Sequence, residues 1–462
     1  MLLALRFFSI NDIVLGPLCV LILFFIIRSK AERQTDPTLR NIYYRGFYFK
    51  VLCVLAFTFV TEFVFKGGDT NLYYQGVKDL RSAVNADFNN IGTIISSTKL
   101  DMDNPLTPYF YYDNYADDFT FNYMLSSSNF FVPRLGLIPS FLFFNNYLCI
   151  NFVFGFFALG GAIRLFKFFY YYYPNYKKVL AVAIVFLPSV GFWSAGLLKD
   201  PISFGCVGYI LYAVLNIVIK KKKISSSLSW IVICGVLTYF IKVYILLVLI
   251  LAILLWLFAE SNKTIKDKTL RNIFTVMTIT VSLGVGVLLL NYFTSLEAAQ
   301  QYKLDTLMDK AEYQRHVLED LQANGVELGS NFEMNTSNPV LLAANSLLAT
   351  FFRPFLWEIT SPAVFLSAIE SLFFLFLFLN FLFKRGVKQF FKLSFEDPRM
   401  LMCFSFAIVF AFAVGASTNN FGALSRYKIP CMPFFFVLLL MVYKSANLPY
   451  PRFFQRFVNK IV

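Results

Sequence analysis

Residues 63–74 read FVFKGGDTNLYY, and they mark the point at which a long apolar run gives way to glycines, an aspartate and tyrosines. The run before them, residues 48–65, is about as long as a helix must be to cross a bilayer. Gly67 and Gly68 allow the backbone to turn sharply out of such a helix. The stretch therefore predicts a membrane span that is followed at once by a carboxylate, Asp69, at the depth of the lipid headgroups.

The composition of the whole chain is typical of a membrane protein. Of its 462 residues, 58% are hydrophobic and 15% are charged, which is more apolar surface than a soluble core of this length would bury. Residues 13–27 are followed by Arg28, Lys30 and Arg33, a stop-transfer pattern rather than a cleavable signal. We therefore predict an all-α polytopic membrane protein.

Apolar runs of the length that a span requires recur along the chain. They predict eleven transmembrane helices, near residues 12–28, 48–65, 141–166, 179–196, 202–219, 227–241, 243–259, 272–293, 363–383, 401–417 and 430–443. The region 227–259 has three interpretations: two short helices, a broken pair, or a re-entrant element.

The distribution of charge predicts the topology. The net charge is +14, but the basic residues form short clusters between apolar runs, as expected at a cytoplasmic face rather than in a nucleic-acid-binding protein. Alternate loops follow this bias, so the N-terminus is predicted outside and the C-terminus in the cytoplasm. The three longer outward segments are then 66–140, 294–362 and 418–429. The abundance of Phe, Lys, Asn and Ile fits a bacterium with AT-rich codons, which favours the plasma (bacterial inner) membrane as the location.

Three parts of the chain are predicted. Residues 1–47 form an N-terminal span and a basic cytoplasmic loop, residues 48–443 the main transmembrane domain, and residues 444–462 a basic cytoplasmic tail. The aromatic content of segment 66–140 predicts ordered helices that lie in the membrane interface. Segment 294–362 begins with an amphipathic helical pattern and is interpreted as an arm or lid.

Cysteine and histidine chemistry is not indicated. The seven cysteines lie in or beside apolar segments without CxxC spacing, which favours packing rather than a disulfide framework or a zinc site. The single histidine, His316, has no histidine or cysteine companion and is interpreted as a solvated side chain.

Two aspartates are the candidate catalytic residues. Asp69 follows the glycines quoted above, and Asp200 lies in WSAGLLKDPISF (193–204), a very short outer turn. Each could instead cap the helix that follows it, and Pro201 suits the first position of such a helix. Two carboxylates that emerge at one membrane depth can converge on one site.

Cationic side chains near two later spans are candidates for binding phosphate. Arg353, Arg426 and Lys428 are predicted on the outer face, and Tyr427 adds a hydroxyl. The alternative is that they anchor helix ends to anionic lipids. Lys242 lies in an apolar region, where a charge costs about 2.5–3.5 kcal/mol. It either snorkels towards the interface or faces a polar cavity, and the prediction is that it snorkels.

The arrangement resembles the GT-C glycosyltransferases, polytopic enzymes that use lipid-phosphate-linked sugars. In that family an acidic residue follows a span, interfacial helices come next, and a second acidic residue lies in a short outer turn. GGDTNLYY with Asp69, the aromatic loop, and SAGLLKDPISF with Asp200 match these positions, and RYKIP (426–430) looks like the late basic element. This chain has one additional early span and a single aspartate in the first motif, where many relatives carry an acidic pair.

The resemblance implies transfer of a sugar from a polyprenyl phosphate to a glycan, lipid or protein acceptor at the outer face of the membrane. The transfer would invert the anomeric centre of the sugar. Asp69 would act as the base, and Asp200 would position the acceptor. Both would ligate a divalent cation, Mg²⁺ or Mn²⁺, if one is used; no other cofactor is expected. Lys199, Arg353, Arg426, Tyr427 and Lys428 would hold the phosphate.

Three other functions fit parts of the pattern. An O-antigen-polymerase-like or ligase-like enzyme also has many spans and large outer loops, and would depend on arginine more than aspartate. A transporter or flippase of a lipid-linked precursor would show repeated halves and mid-membrane charges. A non-catalytic assembly subunit is the third.

Overall fold

The computed structural model describes residues 11–65, 67–111, 119–262, 331–332, 338–359 and 362–461, with scattered single positions between 267 and 313. Regular structure in these residues is helical, and they contain no β-strand. The chain forms two compact units. Unit 1 comprises Met1–Phe186, Gly191–Lys242 and Ile461–Val462, and unit 2 comprises Leu187–Val190 and Val243–Lys460.

Twelve helices lie in the described residues up to position 262. They are α1 (Asp12–Glu32), α2 (Pro37–Phe59), α3 (Asp69–Ala86), α4 (Asn90–Ser96), α5 (Thr107–Tyr111), α6 (Phe119–Met124), α7 (Ser127–Leu142), α8 (Tyr147–Tyr172), α9 (Lys177–Ile184), α10 (Pro188–Trp193), α11 (Lys199–Val214) and α12 (Ile224–Asn262). Two of them continue as π-helices, α2 over Val60–Phe65 and α11 over Leu215–Ile219.

Six further helices are described in the C-terminal part of the chain. They are α13 (Pro339–Phe352), α14 (Pro362–Glu396), α15 (Pro398–Ser417), α16 (Phe421–Tyr427), α17 (Met432–Ser445) and α18 (Arg452–Ile461). The side chains of Asn338, Asp397 and Asn420 cap the N-termini of α13, α15 and α16 by accepting hydrogen bonds from backbone N–H groups.

The described residues contain seven helices that are long and apolar enough to cross a membrane. A bent pair, α16 and α17 at 69°, would make an eighth. The chain is therefore an all-α, multi-pass membrane protein, as its composition predicted. The predicted number of eleven spans is not confirmed, and the predicted span 272–293 lies outside the described residues apart from single positions.

Two of the predicted spans have a different form. Residues 179–196 are not one helix, because α9 ends at Ile184 and α10 begins at Pro188. Proline lacks the backbone N–H that would continue the helix and disfavours helical backbone in the residue before it. Residues 227–259 lie in α12, which consists of two helices joined at a kink at Lys242, where φ is −153° and ψ is 79°.

Unit 1 is built around the tight crossing of α8 and α11. A Cβ atom at Gly208 would lie 2.0 Å from the carbonyl oxygen of Gly161, and one at Gly161 would lie 2.4 Å from Gly205. Only glycine permits the two backbones to approach so closely, an arrangement common between membrane helices. Phe157 stacks on Tyr209 beside this crossing, with their ring centroids 5.1 Å apart. The crossing fixes where α11 begins, and therefore where Asp200 lies.

In its described residues, segment 66–140 contains the helices α3 to α7, which are joined by turns and irregular stretches. The prediction of helices here is therefore confirmed, while their position in the membrane interface stays a prediction. Helix α3 packs on α7, where Gly76 accommodates Pro133 and Met124. Side chains Phe88, Met102 and others between residues 88 and 144 are largely exposed.

Unit 2 has its own apolar core, formed largely by the phenylalanines of α13 to α17. Phe351 stacks on Phe435 at a centroid distance of 4.0 Å, and Phe406 lies 4.4 Å from Phe434. The predicted three-part division of the chain stays a prediction, and its boundaries, 47/48 and 443/444, fall inside helices α2 and α17.

Candidate functional site

Asp69 is the first residue of α3 and comes four residues after Phe65, where the π-helical end of α2 stops. The two glycines before it have positive φ angles, 151° at Gly67 and 114° at Gly68. Gly68, with ψ of −172°, occupies a region of backbone conformation that is nearly restricted to glycine. The N-cap position belongs to Gly68, so Asp69 is not the cap, and its half-buried carboxylate lies in the first turn of α3. The positive end of the helix dipole favours a negative charge there.

The helix that follows the glycines is fixed by hydroxyl groups. Thr70 Oγ1 and Tyr147 Oη are 2.8 Å apart. One turn after Asp69, Tyr73 donates a hydrogen bond to Asn129 Oδ1 at 3.3 Å and accepts one from Tyr123 at 3.1 Å. The side of α3 next to Asp69 therefore rests on the first turn of α7.

Lys199 reaches the same turn of α7 from another direction. It is the first residue of α11, and its Nζ donates a hydrogen bond to Ser128 Oγ at 2.7 Å. Ser128 is adjacent to Asn129, the partner of Tyr73. The structure thus brings the N-terminal turns of α3, α7 and α11 together, and places Lys199 among them.

Burial raises the pKa values of tyrosines on this part of unit 1. The pKa of Tyr74 is raised to about 12, chiefly by burial and further by the negative charge of Asp12. On α7, burial lowers the pKa of Arg134 to about 10. Arg134 donates to the carbonyl oxygens of Ile94 at 3.2 Å and Ser97 at 2.7 Å, which ties α4 to α7. These groups keep their neutral hydroxyl and charged guanidinium forms near neutral pH.

Asp200 lies beside Lys199 in sequence, but its side chain points elsewhere. Asp200 Oδ1 is 2.5 Å from Lys242 Nζ, and the two side chains are 1% and 9% exposed. The prediction that Lys242 snorkels is wrong: its ammonium group is satisfied by a buried carboxylate, at the residue where α12 is interrupted. Asp200 is the second residue of α11, after the N-cap Leu198, so it does not serve as the cap either.

The turn that leads into Asp200 is held by polar side chains of two neighbouring helices. Lys50, 6% exposed, donates from Nζ to Ser194 Oγ at 2.7 Å, to Ser194 O at 3.3 Å and to Gly191 O at 2.9 Å. Asn151 Oδ1 accepts from the backbone N–H of Leu197 at 2.8 Å. A buried ammonium that binds three oxygens of one turn fixes the path of that turn.

Sequence reasoning missed Lys50 and Asn151. It ended the basic loop at residue 47 and began the next span at residue 48, which left Lys50 at the edge of that span, whereas α2 begins at Pro37 and carries Lys50 well inside the helix. The signal was Asp36 followed by Pro37, because Asp at the N-cap and Pro at the first position commonly start a helix. Asn151, in an apolar run, gave no pattern that named its partner.

In unit 2 the predicted phosphate-binding residues have separate environments. Arg353 forms an ion pair with Glu358, in which Nε lies 3.0 Å from Oε1 and 3.2 Å from Oε2. Its guanidinium also lies over the rings of Phe332 and Phe421, at 4.5 and 5.1 Å. Glu358, five residues away, therefore already neutralises the charge predicted to meet a phosphate.

Lys428 is also engaged within unit 2. It is 1% exposed, and its Nζ donates to Ser371 Oγ at 3.1 Å and to the carbonyl oxygen of Arg353 at 3.2 Å. The adjacent Glu370 accepts from Ser189, from the hydroxyl at 2.5 Å and from the backbone N–H at 3.0 Å. Lys428 thus joins the segment after α13 to α14 instead of facing the surface.

Arg426 and Tyr427 form the remaining predicted pair. Both are half-buried at the end of α16, and Arg426 Nη2 lies 3.3 Å from Tyr427 Oη. The guanidinium carbon is 5.0 Å from the centroid of the tyrosine ring. Among the cations predicted for phosphate in unit 2, Arg426 is half-buried and lies against a tyrosine, whereas Arg353 lies against Glu358 and Lys428 is buried.

The donor set for the predicted divalent cation does not fit at Asp200. In the part of the chain that the structure describes, no three His, Cys, Asp or Glu side chains form a group that could hold a metal ion. The ammonium of Lys242 already lies against the Asp200 carboxylate.

Comparison with protein-family models, curated proteins and solved structures finds no match to this chain.

Proposed function

We propose that this protein is an integral-membrane glycosyltransferase that moves a sugar from a polyprenyl-phosphate donor to an acceptor at the outer face of the membrane. The observation that carries the proposal is Asp69. A carboxylate begins a helix immediately after a membrane-spanning helix, and two glycines in conformations with positive φ fix the turn between them. Backbone conformations of this kind cost energy and concentrate at functional sites.

Asp69 is the proposed general base. The acceptor hydroxyl attacks the anomeric carbon, the bond from that carbon to the phosphate oxygen breaks, and the hydroxyl proton goes to the Asp69 carboxylate. The polyprenyl phosphate leaves with the bonding electrons, and direct displacement inverts the anomeric centre. A base at the end of a span suits this reaction, since a lipid donor and a water-soluble acceptor meet at that depth.

The grouping of helix ends in unit 1 supports the binding of a phosphate. Helix N-termini favour anions because their N–H groups and dipoles point towards them. The first turns of α3, α7 and α11 lie together through Tyr73, Asn129, Ser128 and Lys199. Lys199 adds a full positive charge to this group, which makes it our first choice for the donor phosphate.

Asp200 takes a different role from the one predicted. Its carboxylate is paired with Lys242, so we assign it to positioning: the pair fixes the start of α11 and with it Lys199. No step through a metal ion is assigned to it. In unit 2 we keep Arg426 and Tyr427 as the candidates for phosphate contact, and assign Arg353 and Lys428 to the structure of that unit.

The test is donor cleavage by purified protein in proteoliposomes. The probes are synthetic polyprenyl-phosphate-linked hexoses and pentoses with a mixture of short oligosaccharides as acceptors, and release of polyprenyl phosphate is measured by mass spectrometry. Loss of a general base lowers the rate by roughly 100-fold or more, which is expected for Asp69→Asn. Asp87→Asn is the matched control, because Asp87 is an exposed carboxylate at the other end of α3.

Two results would redirect the proposal. If Asp69→Asn kept full activity while Arg426→Ala lost it, the polymerase-like or ligase-like reading would replace ours. A Gly68→Ala variant adds a separate check: its Cβ would meet no atom within 4 Å, so any loss reports the backbone at Asp69 rather than a clash. We expect this variant to fold and to lose activity.

The second candidate is a transporter of a lipid-linked precursor, and one observation favours it. Buried ionisable residues in spans, and broken spans, are typical of transporters, and Asp200 meets Lys242 where α12 is interrupted. Under this reading, Asp200→Asn with Lys242→Met would abolish movement of a fluorescent polyprenyl phosphate across vesicles. Under the glycosyltransferase reading, no such movement is expected from wild-type protein.

A further inference from the structure

Five cationic side chains gather at one end of unit 1, where α1, α8 and α11 end. We call them the basic cluster: Lys30, Arg164, Lys167, Lys220 and Lys223. Lys30 is in the last turn of α1, Arg164 and Lys167 are near the end of α8, and Lys220 and Lys223 flank the turn between α11 and α12. The function proposed above uses none of them.

Arg164 is the most enclosed member by its contacts. Its guanidinium carbon lies 3.9 Å from the ring centroid of Tyr209 and 5.3 Å from that of Trp230. The two rings are themselves 4.2 Å apart, and Nη1 donates to the carbonyl oxygen of Gly160 at 3.1 Å. This leaves a half-buried guanidinium held in place by aromatic faces.

Two lysines of the cluster also lie over aromatic rings. Lys167 Nζ lies 5.2 Å from the centroid of Tyr43. Lys220 Nζ lies 4.7 Å from Tyr171 and 4.9 Å from Tyr212. The charges of Arg164, Lys220, Lys223 and Lys30 all act on Lys167, so the cluster is close enough for mutual repulsion.

No member of the basic cluster forms an ion pair with a carboxylate among the described residues. Two acidic residues that follow Lys30 in sequence pair with other cations, Glu32 with Arg28 and Asp36 with Lys177. The ends of α1, α8 and α11 each carry about half a negative charge, which together offset only about a third of five positive charges. Burial and Lys222 lower the pKa of Lys220 below its ordinary value.

The turn after α11 presents its lysines in uncommon conformations. Residues 220–223 are four consecutive lysines, and Lys221 and Lys223 have positive φ angles of 49° and 54°. Residues other than glycine seldom adopt this conformation. The backbone of the turn is fixed by Lys222 N–H, which donates to Asn216 O at 3.0 Å.

A preference for positive charge on the cytoplasmic side does not by itself explain this geometry. That preference requires only charges in exposed loops, whereas Arg164 and Lys167 lie within α8 and are half-buried. Half-buried like charges without carboxylates are unfavourable unless an anion joins them. We infer that the basic cluster binds a phosphate-bearing anion, either the headgroup of an anionic lipid or a free phosphate compound.

Phosphate suits the cluster because its oxygens accept several hydrogen bonds at once. A guanidinium can bind two of them, and lysines supply point charges. Basic pockets between membrane helices are known to bind anionic headgroups in this manner. The inference concerns a second ligand site and does not depend on the proposed glycosyl transfer.

The test uses two probes on the full-length protein. Delipidated protein in neutral detergent is titrated with phosphatidylglycerol and, for comparison, with zwitterionic phosphatidylcholine, and bound lipid is counted by native mass spectrometry. The same preparation is titrated calorimetrically with inorganic pyrophosphate at low and at high salt. The variants are Arg164→Gln with Lys167→Gln, and Lys220→Gln with Lys223→Gln in case the first pair folds poorly. The control is Lys384→Gln with Lys388→Gln, which removes two exposed lysines of α14, outside the basic cluster.

We expect each cluster variant to bind at least one probe about tenfold or more weakly than wild type, since charge-assisted hydrogen bonds to phosphate are lost. The control should stay within about twofold, and salt should weaken the binding of pyrophosphate. Loss of phosphatidylglycerol alone assigns the site to a lipid, and loss of pyrophosphate alone to a soluble phosphate. The inference is overturned if both probes bind wild type and both cluster variants equally, or if the control loses as much affinity.

Discussion

Replacing Asp200 with Asn would leave the Lys242 ammonium in unit 1 without the carboxylate that neutralises it. The two side chains are 1% and 9% exposed, and Oδ1 lies 2.5 Å from Nζ. Water therefore cannot screen the charge that remains. Lys242→Met creates the opposite problem, a buried carboxylate without its ammonium.

The magnitude follows from this burial. Removing one partner of a buried ion pair costs about 3–5 kcal/mol, because an uncompensated charge stays in a low-dielectric environment. Removing both partners removes both charges, and apolar replacements of similar size are often close to neutral. The double variant Asp200→Asn, Lys242→Met should therefore be more stable than either single variant, with a cost of about 1 kcal/mol or less relative to wild type.

The assay is the free energy of unfolding in bicelles, from a denaturant titration followed by tryptophan fluorescence. Glu396→Gln serves as the control, because Glu396 and Lys392 form an exposed pair at 3.7 Å whose loss should have no measurable effect. Equal stability of Asp200→Asn and wild type would refute the reasoning. So would a double variant that loses the sum of the two single effects.

Three further outcomes follow from single residues in unit 1. Lys50→Met should cost about 1–3 kcal/mol and speed hydrogen exchange at the turn before α11, because buried oxygens lose their donor; unchanged exchange would contradict it. Gly208→Leu should prevent close packing of α8 on α11 and abolish the monodisperse peak in size-exclusion chromatography, whereas a normal elution profile would show that the crossing is not required. The hydrogen bond from Lys177 lowers the pKa of the Asp36 carboxyl below 3.8, so the charged carboxylate stabilises the fold. The free energy of unfolding, measured by denaturant titration at several pH values, should therefore be larger for wild type than for Asp36→Asn above pH 3.8, and the difference should vanish as the pH falls through the lowered pKa. A difference that does not depend on pH would contradict this account.

The sequence was sufficient for features that depend on local pattern. Apolar runs predicted most of the membrane helices, and the glycines before Asp69 predicted the turn that the positive φ angles of Gly67 and Gly68 now describe. It was also sufficient to predict helices in segment 66–140. Each of these follows from hydrophobicity or backbone preference within a few neighbouring residues.

Features that depend on distant partners were out of reach. Nothing near Lys242 indicates that its partner is Asp200, 42 positions earlier, because the pair depends on how α11 and α12 pack. Lys50 and Gly191 are 141 positions apart for the same reason. The ion pair of Arg353 depends on a more local fold: Glu358 was visible in the sequence, but only the fold of residues 353–358 turns it back onto the guanidinium.

The two aspartates that looked equivalent in sequence differ in how far their side chains are buried. Both lie in the first turn of a helix. Asp200 is buried, and its carboxylate already lies against the Lys242 ammonium. Asp69 is half-buried, and two glycines with positive φ angles bring it to the start of its helix. A general base must reach its substrate, so our proposal gives the chemical role to Asp69 and leaves Asp200 to keep α11 and Lys199 in place.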